Sequence, residues 1–398
     1  MDIKIVPQIL SGSVSAIPSK SQAHRMLICA AFADRNTQII CPFSSQDIEA
    51  TVSCLNAIGA NIAKTEYGYF VEPVSAIPSD VTLDCNESGS TLRFMLPIAA
   101  SLGINATFIM RGRLPHRPLS PLWEELERMG CRLSRPTEDT ISCQGQLENG
   151  IYHISGNISS QFITGLLFAL SLLPGNSQLN ITGKIESKPY VNMTIHALSV
   201  FGQNVCNFCI QSDGKFHSPS TVTIEGDWSN AAFFLAGAAI GNQLTINGLD
   251  SHSKQGDKVI AEHLRHLENY TTISGEDCPD IIPILAVVAA CKKGARFTNI
   301  SRLRLKESDR IAAITEMLNA FGITAQVIDD DLLISPGLFH ACTIDSKKDH
   351  RIAMAAAIAS TVADGPIVIL NAECVNKSYP DFWNEFTRLG GHYEQCTR

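Results

Sequence analysis

"MLNAFGITAQV", residues 317–327, runs from an apolar, helix-like segment through a glycine into a short β-prone stretch. Glycine fits the left-handed position just past a helix end, so Gly322 marks a helix-to-strand corner. The same corner recurs along the chain in "CLNAIGANI" with Gly59, "LERMGCRL" with Gly130, "LSVFGQNV" with Gly202 and "FTRLGGHYE" with Gly390. A sixth instance, "HLRHLENYTTI" at 263–273, falls in the long gap between Gly202 and Gly322 and has lost its glycine.

Successive corners lie about seventy residues apart in the first half, and six such units fill the 398 residues. A unit of that size is too small for a good core of its own. Two domains of three α+β units each are expected, with strands outside or between and helices bundled inward. "AAFFLAGAAIG" (231–241) and "ITGLLFALSLL" (163–173) are apolar nearly all round, as helices inside such a bundle would be. A single doubly wound parallel sheet would carry a glycine-rich phosphate loop. No GxGxxG or GxxxxGK sequence occurs.

The longest apolar stretches, Phe162 to Leu173 and Ile281 to Cys291, fall short of a membrane span. The start, "MDIKIVPQILSG", has neither a basic segment ahead of a long apolar one nor a small-residue cleavage site, so a cytoplasmic protein is expected. Thirteen cysteines, an odd number scattered without paired spacing, are expected to be reduced and mostly buried. Cys206 and Cys209 in "NVCNFCI" have the spacing of half a zinc site, but no second pair or histidine cluster completes it. The net charge of −8 excludes nucleic acid and anionic membranes as partners of the surface as a whole. An anionic ligand must be met by a local cluster of cations.

Such cations stand at helix starts. "IPSKSQAHR" (17–25) puts Lys20 in the first turn of a helix, where the dipole disfavours it unless something negative joins it. Ser21 and Arg25, four apart, share a face. "NESGSTLRF" supplies Gly89, two hydroxyls and Arg93; "LPHRPLSPL" supplies Arg117; "ISSQFITGLLF" supplies Ser159, Ser160 and Gln161. "RLKESDRIAAITEML" gives Lys306, Glu307 and Arg310, "KKDHRIAMAAAIAS" gives Asp349 as a cap with His350 and Arg351, and "NKSYPDFWNEF" gives Lys377. Each alone reads as an ordinary cap or a solvated cation. Their repetition predicts a space where helix N-termini, lysines and arginines converge on a ligand with several negative charges. Arg117, Arg310 and Arg351 suit clamps for flat carboxylates and phosphates, and Lys20 and Lys377 suit clamps or acids. Two carboxylates, Asp280 in "DCPDIIPILAVVAA" and Glu307, break the positive pattern and suggest proton transfer, Asp280 also fitting a helix cap.

The ordered set PSKS…R, SGSTLR, RP, SSQF, SKPY, EGDWS, QGD, PD, KESDR, DHR and KSYP resembles the 5-enolpyruvylshikimate-3-phosphate synthases over nearly the whole chain. The resemblance implies an α/β (α+β) fold, a two-domain inside-out α/β barrel in which each domain holds three βαβαββ units with pseudo-threefold symmetry. It implies one domain from 1–17 plus 224–398, an inserted domain at 18–223, and hinge crossovers near 17 and 223. The implied reaction moves the enolpyruvyl group of phosphoenolpyruvate to the 5-hydroxyl of shikimate 3-phosphate and releases phosphate. Its implied course is addition and elimination in a closing interdomain cleft, on the way to chorismate and aromatic amino acids. Carried over by position, Lys20, Ser21, Arg25, Ser159, Ser160, Gln161, Ser187, Tyr190, Asp280 and Lys306 would hold shikimate 3-phosphate. Lys20, Gly89, Arg117, Gln161, Arg310, Arg351 and Lys377 would surround phosphoenolpyruvate. Asp280 is the implied base, with Lys20 and Glu307 both candidates for proton delivery. No metal or organic cofactor is implied, and the chain is expected to be a monomer. In this family glyphosate competes with phosphoenolpyruvate, and Gly89 matches the glycine that leaves room for it.

Three positions depart from the pattern. Glu87 and Arg302 stand where members often have asparagine, and Phe94 where they often have proline. The rival reading is the sister family that moves enolpyruvyl to UDP-N-acetylglucosamine. That family carries Lys-Asn where this chain has Lys20-Ser21, and usually a loop cysteine, whereas Arg111 to Pro118 contains none. A non-catalytic phospho-ligand sensor on the same scaffold would be expected to lose Asp280, Glu307 and Lys20, and all three are present.

Overall fold

The computed structural model describes residues 1–396. Its contacts divide the chain into two compact units, Pro18–Ile224 and the combination of Met1–Ile17 with Glu225–Arg398.

In Pro18–Ile224 the helices are α1 (Lys20–Ala31), α2 (Gln46–Ile58), α3 (Gly89–Leu102), α4 (Leu122–Arg128), α5 (Ser160–Ser171) and α6 (Lys188–Val200). Three four-stranded sheets accompany them. One runs Asp80–Asp84, Asn105–Ile109, Thr140–Gly145, Cys131–Ser134, the first pair parallel and the rest antiparallel. A second, Ile151–Ser155, Gly175–Thr182, Cys209–Ser212, Val205–Cys206, repeats that pattern. The third, Thr221–Thr223, Thr37–Ile40, Gly68–Glu72, Asn61–Thr65, takes its first strand from the far end of the segment. A parallel pair needs a crossover helix and an antiparallel pair only a tight turn, so the first two sheets are βαβ units closed by a hairpin, while the third joins its hairpin to a strand from the far end of the segment. Strands alternate buried and exposed residues, as in Cys131–Ser134, so one sheet face meets helices and the other water. Helix α5 is buried at every position but one. It lies so close to α3 that a Cβ on Gly165 would stand 2.1 Å from the Arg93 carbonyl oxygen.

The other unit carries α7 (Trp228–Ala239), α8 (Ile260–His266), α9 (Ile282–Cys291), α10 (Arg310–Ala320), α11 (His350–Ala359) and α12 (Phe382–Arg388). Helices α7, α9 and α11 pack on one another in its core. The sheet Thr271–Ser274, Ala295–Thr298, Asp331–Ile334, Ala325–Ile328 has the same order as those above. So has Cys342–Asp345, Ile367–Leu370, Ile3–Val6, His392–Gln395, with its third position filled by the chain's first strand. The remaining sheet is only the parallel pair Ser11–Ser15 and Gln243–Asn247. Here the structure refines the expectation of six units. The five glycines at the expected corners all have positive φ, from 79° at Gly202 to 115° at Gly59. Where the glycine is missing, α8 leads straight to Thr271–Ser274, the first strand of the next sheet, and no hairpin intervenes. Among the described residues no helix is long and apolar enough to cross a membrane.

A run of hydroxyls joins the starts of α1, α2 and α3. His24 Nδ1 lies 2.7 Å from Thr51 Oγ1, which lies 2.7 Å from Thr91 Oγ1, whose hydroxyl donates to Ser88 Oγ at 2.8 Å. With each hydroxyl passing its proton toward Ser88, Thr51 must accept from His24, which fixes the neutral Nδ1–H form. Burial pushes the His24 imidazole down to about 3; Asp47 pulls it upward and is outweighed, Lys20 and Arg25 adding to the depression. An unfolded histidine protonates near 6.5 while this one stays neutral, so its contribution to stability is full above that value and is lost as the pH falls. Between roughly pH 7 and pH 5 the wild type should therefore lose about 2 kcal/mol of unfolding free energy that His24→Asn does not lose. Urea titrations of both proteins at the two pH values check this, and equal losses would contradict it.

Candidate active site

Lysine at the start of α1 has its negative partner. Ser19 caps the helix, and Lys20 Nζ meets Asp47 Oδ2 at 2.7 Å, with both side chains largely buried. Asp47 lies in the first turn of α2, whose positive end favours a carboxylate, so the pair joins two helix N-termini. Thr91 Oγ1 reaches the Asp47 carbonyl at 3.5 Å, which brings the start of α3 alongside. There Gly89 is the first helical residue, after the cap Ser88. A Cβ on Gly89 would stand 2.6 Å from a guanidinium nitrogen of Arg117 and 2.6 Å from one of Arg93. Arg93 donates to Gln161 Oε1 at 3.1 Å and to the Pro118 carbonyl at 2.9 Å, and Gln161 donates to Ser90 Oγ at 2.9 Å. Ser159 caps α5 by accepting from the Gln161 N–H, and Ser160 is buried as the first residue of that helix.

Arg25, 3% exposed, sits deeper. It donates to the carbonyls of Ser21 at 2.6 Å and Tyr190 at 3.1 Å, and to Thr194 Oγ1 at 2.9 Å. Its guanidinium lies 5.3 Å from the centre of the Phe94 ring, so the phenylalanine at this unusual position serves as a cation–π surface. Tyr190 in turn donates its N–H to the carbonyl of Ser187, which holds φ at 51° just before α6. Every hydrogen-bond acceptor around Arg25 is neutral. Among the described residues it has no carboxylate partner, and burial pushes it down to about 10. Glu87 packs against Gly112, where a Cβ would stand 2.5 Å from its carboxyl.

The second cluster, in the other unit, is organised around Arg310, which is 1% exposed. Its Nε meets Asp349 Oδ2 at 2.8 Å, one terminal nitrogen meets Glu307 Oε2 at 2.8 Å, and the other meets Asp280 Oδ1 at 2.6 Å. Asp349 is wholly buried, caps α11 through the Arg351 N–H and also accepts from Ser308 Oγ at 2.9 Å. Lys306 Nζ stands 3.4 Å from Asp280 Oδ1, and Arg302 donates to the Glu276 carbonyl at 3.2 Å. Burial pushes the Asp280 carboxyl up, but Lys306, Arg310 and Arg351 outweigh it and hold it well below the usual carboxylate range. Burial also lowers the Lys306 ammonium, against the pull of Asp280. Arg351, 3% exposed, donates to the Ser229 carbonyl at 2.8 Å and lies 5.7 Å from the centre of the Phe233 ring. Its Nε has no partner among the described residues, and neither have the nearby Ser229 Oγ and Asn230 Nδ2. Lys377 is buried at the end of the short helix Ala372–Lys377, and the next residue, Ser378, donates to Asn230 Oδ1 at 3.5 Å.

Lys20, Ser21, Arg25, Gly89, Arg117, Ser159, Ser160, Gln161, Ser187 and Tyr190 thus belong to one unit, and Asp280, Lys306, Glu307, Arg310, Arg351 and Lys377 to the other. Sequence reading missed Asp47 as the partner of Lys20, and took Asp349 for a cap alone when it also anchors Arg310. Asp47 follows the cap Ser45 by two residues, an acidic first-turn signal that reads locally as helix stabilisation.

The family model for EPSP synthase (3-phosphoshikimate 1-carboxyvinyltransferase) matches residues 6–386. A 3-phosphoshikimate 1-carboxyvinyltransferase of Clostridium beijerinckii is 39% identical over 432 aligned residues, covering 99% of this chain and 98% of that one. Another from Clostridium perfringens is 40% identical over 417, covering 97% and 98%. Among solved structures, an EPSP synthase from Acinetobacter baumannii is similar in fold with a TM-score of 0.81, at 22% identity over 99% of this chain and all of that one. The enolpyruvyl transferase NikO from Streptomyces tendae is similar with a TM-score of 0.75, at 17% identity over 100% of this chain and 99% of that one. The chain belongs to the EPSP synthase family and transfers the enolpyruvyl group of phosphoenolpyruvate to shikimate 3-phosphate.

Proposed function

We propose that the two basic clusters, one on each unit, act on a single pair of substrates, and that the domains, 1–17 with 224–398 and 18–223, close on them about the crossovers near 17 and 223. The observation that carries this reading is that Arg25 and Arg351 are buried with no ion pair at contact distance among the described residues, Arg351 feeling Asp280 only at longer range. A buried, unpaired cation is costly, and an anionic ligand relieves that cost. In this reading Lys20, Ser21, Arg25, Ser159, Ser160, Gln161, Ser187 and Tyr190 hold shikimate 3-phosphate, with Asp280 and Lys306 on its hydroxyls. Lys20, Gly89, Arg117, Gln161, Arg310, Arg351 and Lys377 surround phosphoenolpyruvate.

The 5-hydroxyl oxygen attacks C2 of phosphoenolpyruvate while C3 gains a proton, giving a tetrahedral intermediate. The C2–O bond to phosphate then breaks and C3 gives up a proton, restoring the enol ether. Asp280 accepts the hydroxyl proton, and Lys20 or Glu307 serves C3. Lys306, Arg310 and Arg351 hold Asp280 ionised, which by itself makes it a feeble base. Anionic substrates on those cations raise its basicity, so binding itself prepares the base. The arginines stabilise charge and keep the reacting atoms together. We also propose that one chain is a complete catalytic unit, a monomer working in the cytoplasm, a reading that the thiol-rich composition supports.

Phosphate release measured with purified protein should require shikimate 3-phosphate together with phosphoenolpyruvate, and UDP-N-acetylglucosamine should not replace it. Release with the nucleotide sugar would overturn the assignment of the acceptor. Asp280→Asn keeps an acceptor for Arg310 but removes the base, so turnover should fall about 10²–10⁴-fold while calorimetric affinity for shikimate 3-phosphate changes far less. Parallel losses of both would make Asp280 a binding residue. Gly89→Ala drives a methyl into the Arg93 and Arg117 guanidinium groups. It should raise the Michaelis constant for phosphoenolpyruvate about tenfold, ~1.4 kcal/mol, and the inhibition constant of the longer glyphosate by more. Equal changes, measured at saturating shikimate 3-phosphate, would remove Gly89 from the border of that site.

A further inference from the structure

The Cys206–Cys209 motif has no part in this chemistry. It forms a hairpin in the Pro18–Ile224 unit: Val205–Cys206 runs antiparallel to Cys209–Ser212, with Cys206 directly opposite Cys209. Asn207 and Phe208 alone make the turn, with φ of 50° and 59°, the backbone of a tight type I′ hairpin. Residues directly opposed on antiparallel strands project to the same face and have Cα atoms about 4.5–5.5 Å apart, inside the span that a disulfide bridges.

Exposure separates this pair from the rest. Of the thirteen cysteines, all among the described residues, Cys206 and Cys209 alone are exposed. Cys54 with Cys85, and Cys131 with Cys143, are also neighbours, but all four are buried. Burial pushes the thiols of Cys41, Cys291 and Cys374 up to about 12, which leaves almost no thiolate there at neutral pH. A surface pocket of about 570 Å³, of a size that takes small molecules, opens beside the hairpin. Both cysteines line it together with Asn176, Gln178, Asn204 and Gln211 and the apolar Ile151 and Ile210. Such a wall sets uncharged donors and acceptors beside apolar surface, the complement of a small peptide.

We propose that Cys206 and Cys209 form a reversible disulfide across the turn by exchange with a low-molecular-weight peptide disulfide held in this pocket. The Cys209 thiol is engaged by donating to Gln178 Oε1, so Cys206 is the attacking group. The Cys206 thiolate attacks one sulfur of the peptide disulfide, the S–S bond breaks, and one peptide thiolate leaves. Cys209 then gives up its proton and attacks Cys206 Sγ, and the second peptide thiolate leaves. Two protein thiols are oxidised and one peptide disulfide is reduced to two thiols, which take up the two protons. A cytoplasmic disulfide of this kind is transient, as redox-responsive ones are.

The test incubates the full chain with oxidised glutathione at neutral pH, blocks remaining thiols, and maps peptides by mass spectrometry. The peptide spanning 206–209 should lose two hydrogens and carry no adduct, at least about tenfold faster than any other cysteine reacts. Cys209→Ser should instead accumulate a stable glutathione adduct on Cys206, and Cys206→Ser should react more slowly, both with wild-type activity. A lasting adduct on the wild-type pair, a disulfide elsewhere, or reaction at other cysteines first would overturn the proposal.

Discussion

Burying guanidinium groups at the starts of helices is the constraint on which the rest of the structure depends. A helix N-terminus already carries partial positive charge, so each arginine there adds to a field that folding alone does not relieve. One solution is visible at Arg310, which three carboxylates surround: Asp349, Glu307 and Asp280. Breaking such a buried pair typically costs about 3–5 kcal/mol, so Asp349 holds the Arg310 guanidinium in a fixed position. Arg25 and Arg351 follow the other course, with carbonyls, hydroxyls and aromatic faces as partners. Neutral groups orient a guanidinium without cancelling its charge. The unfavourable field that remains is the capacity to bind anions.

That field is useful only if the cations are held in place, and close helix packing does this. Gly165 lets α5 approach the Arg93 carbonyl, and Arg93 in turn ties Gln161 to the Pro118 carbonyl. Gly89 leaves room for two guanidinium groups at the head of α3. In a close-packed interior a single methyl at either point displaces Arg93 or Arg117, so packing fixes where these guanidinium groups sit.

The sheets can vary because they lie away from this centre. One repeat of the unit formed by both chain ends consists of the two strands Ser11–Ser15 and Gln243–Asn247 with no hairpin added, yet α7, which contributes Ser229 and Asn230, is in place. The crossover helix packs through its own apolar face, so an outer hairpin can be lost while the helix start that bears the polar residues is kept.

Sequence alone determined the corners and the identity of the polar groups. A glycine at C′ and the change from helical to strand-like pattern act within about ten residues, so five corners were legible at Gly59, Gly130, Gly202, Gly322 and Gly390. The capping hydroxyls and the cations beside them were legible for the same local reason. Tertiary structure decided what lies far apart in the chain. Thr221–Thr223 completes the sheet of Thr37–Ile40, and Ile3–Val6 enters between Ile367–Leu370 and His392–Gln395, because strand register is set by pairing across the fold. It also decided which cations are neutralised. Lys20 with Asp47 and Arg310 with Asp349 are paired while Arg25 and Arg351 are not, and the charge state of a buried group depends on neighbours that no local pattern names.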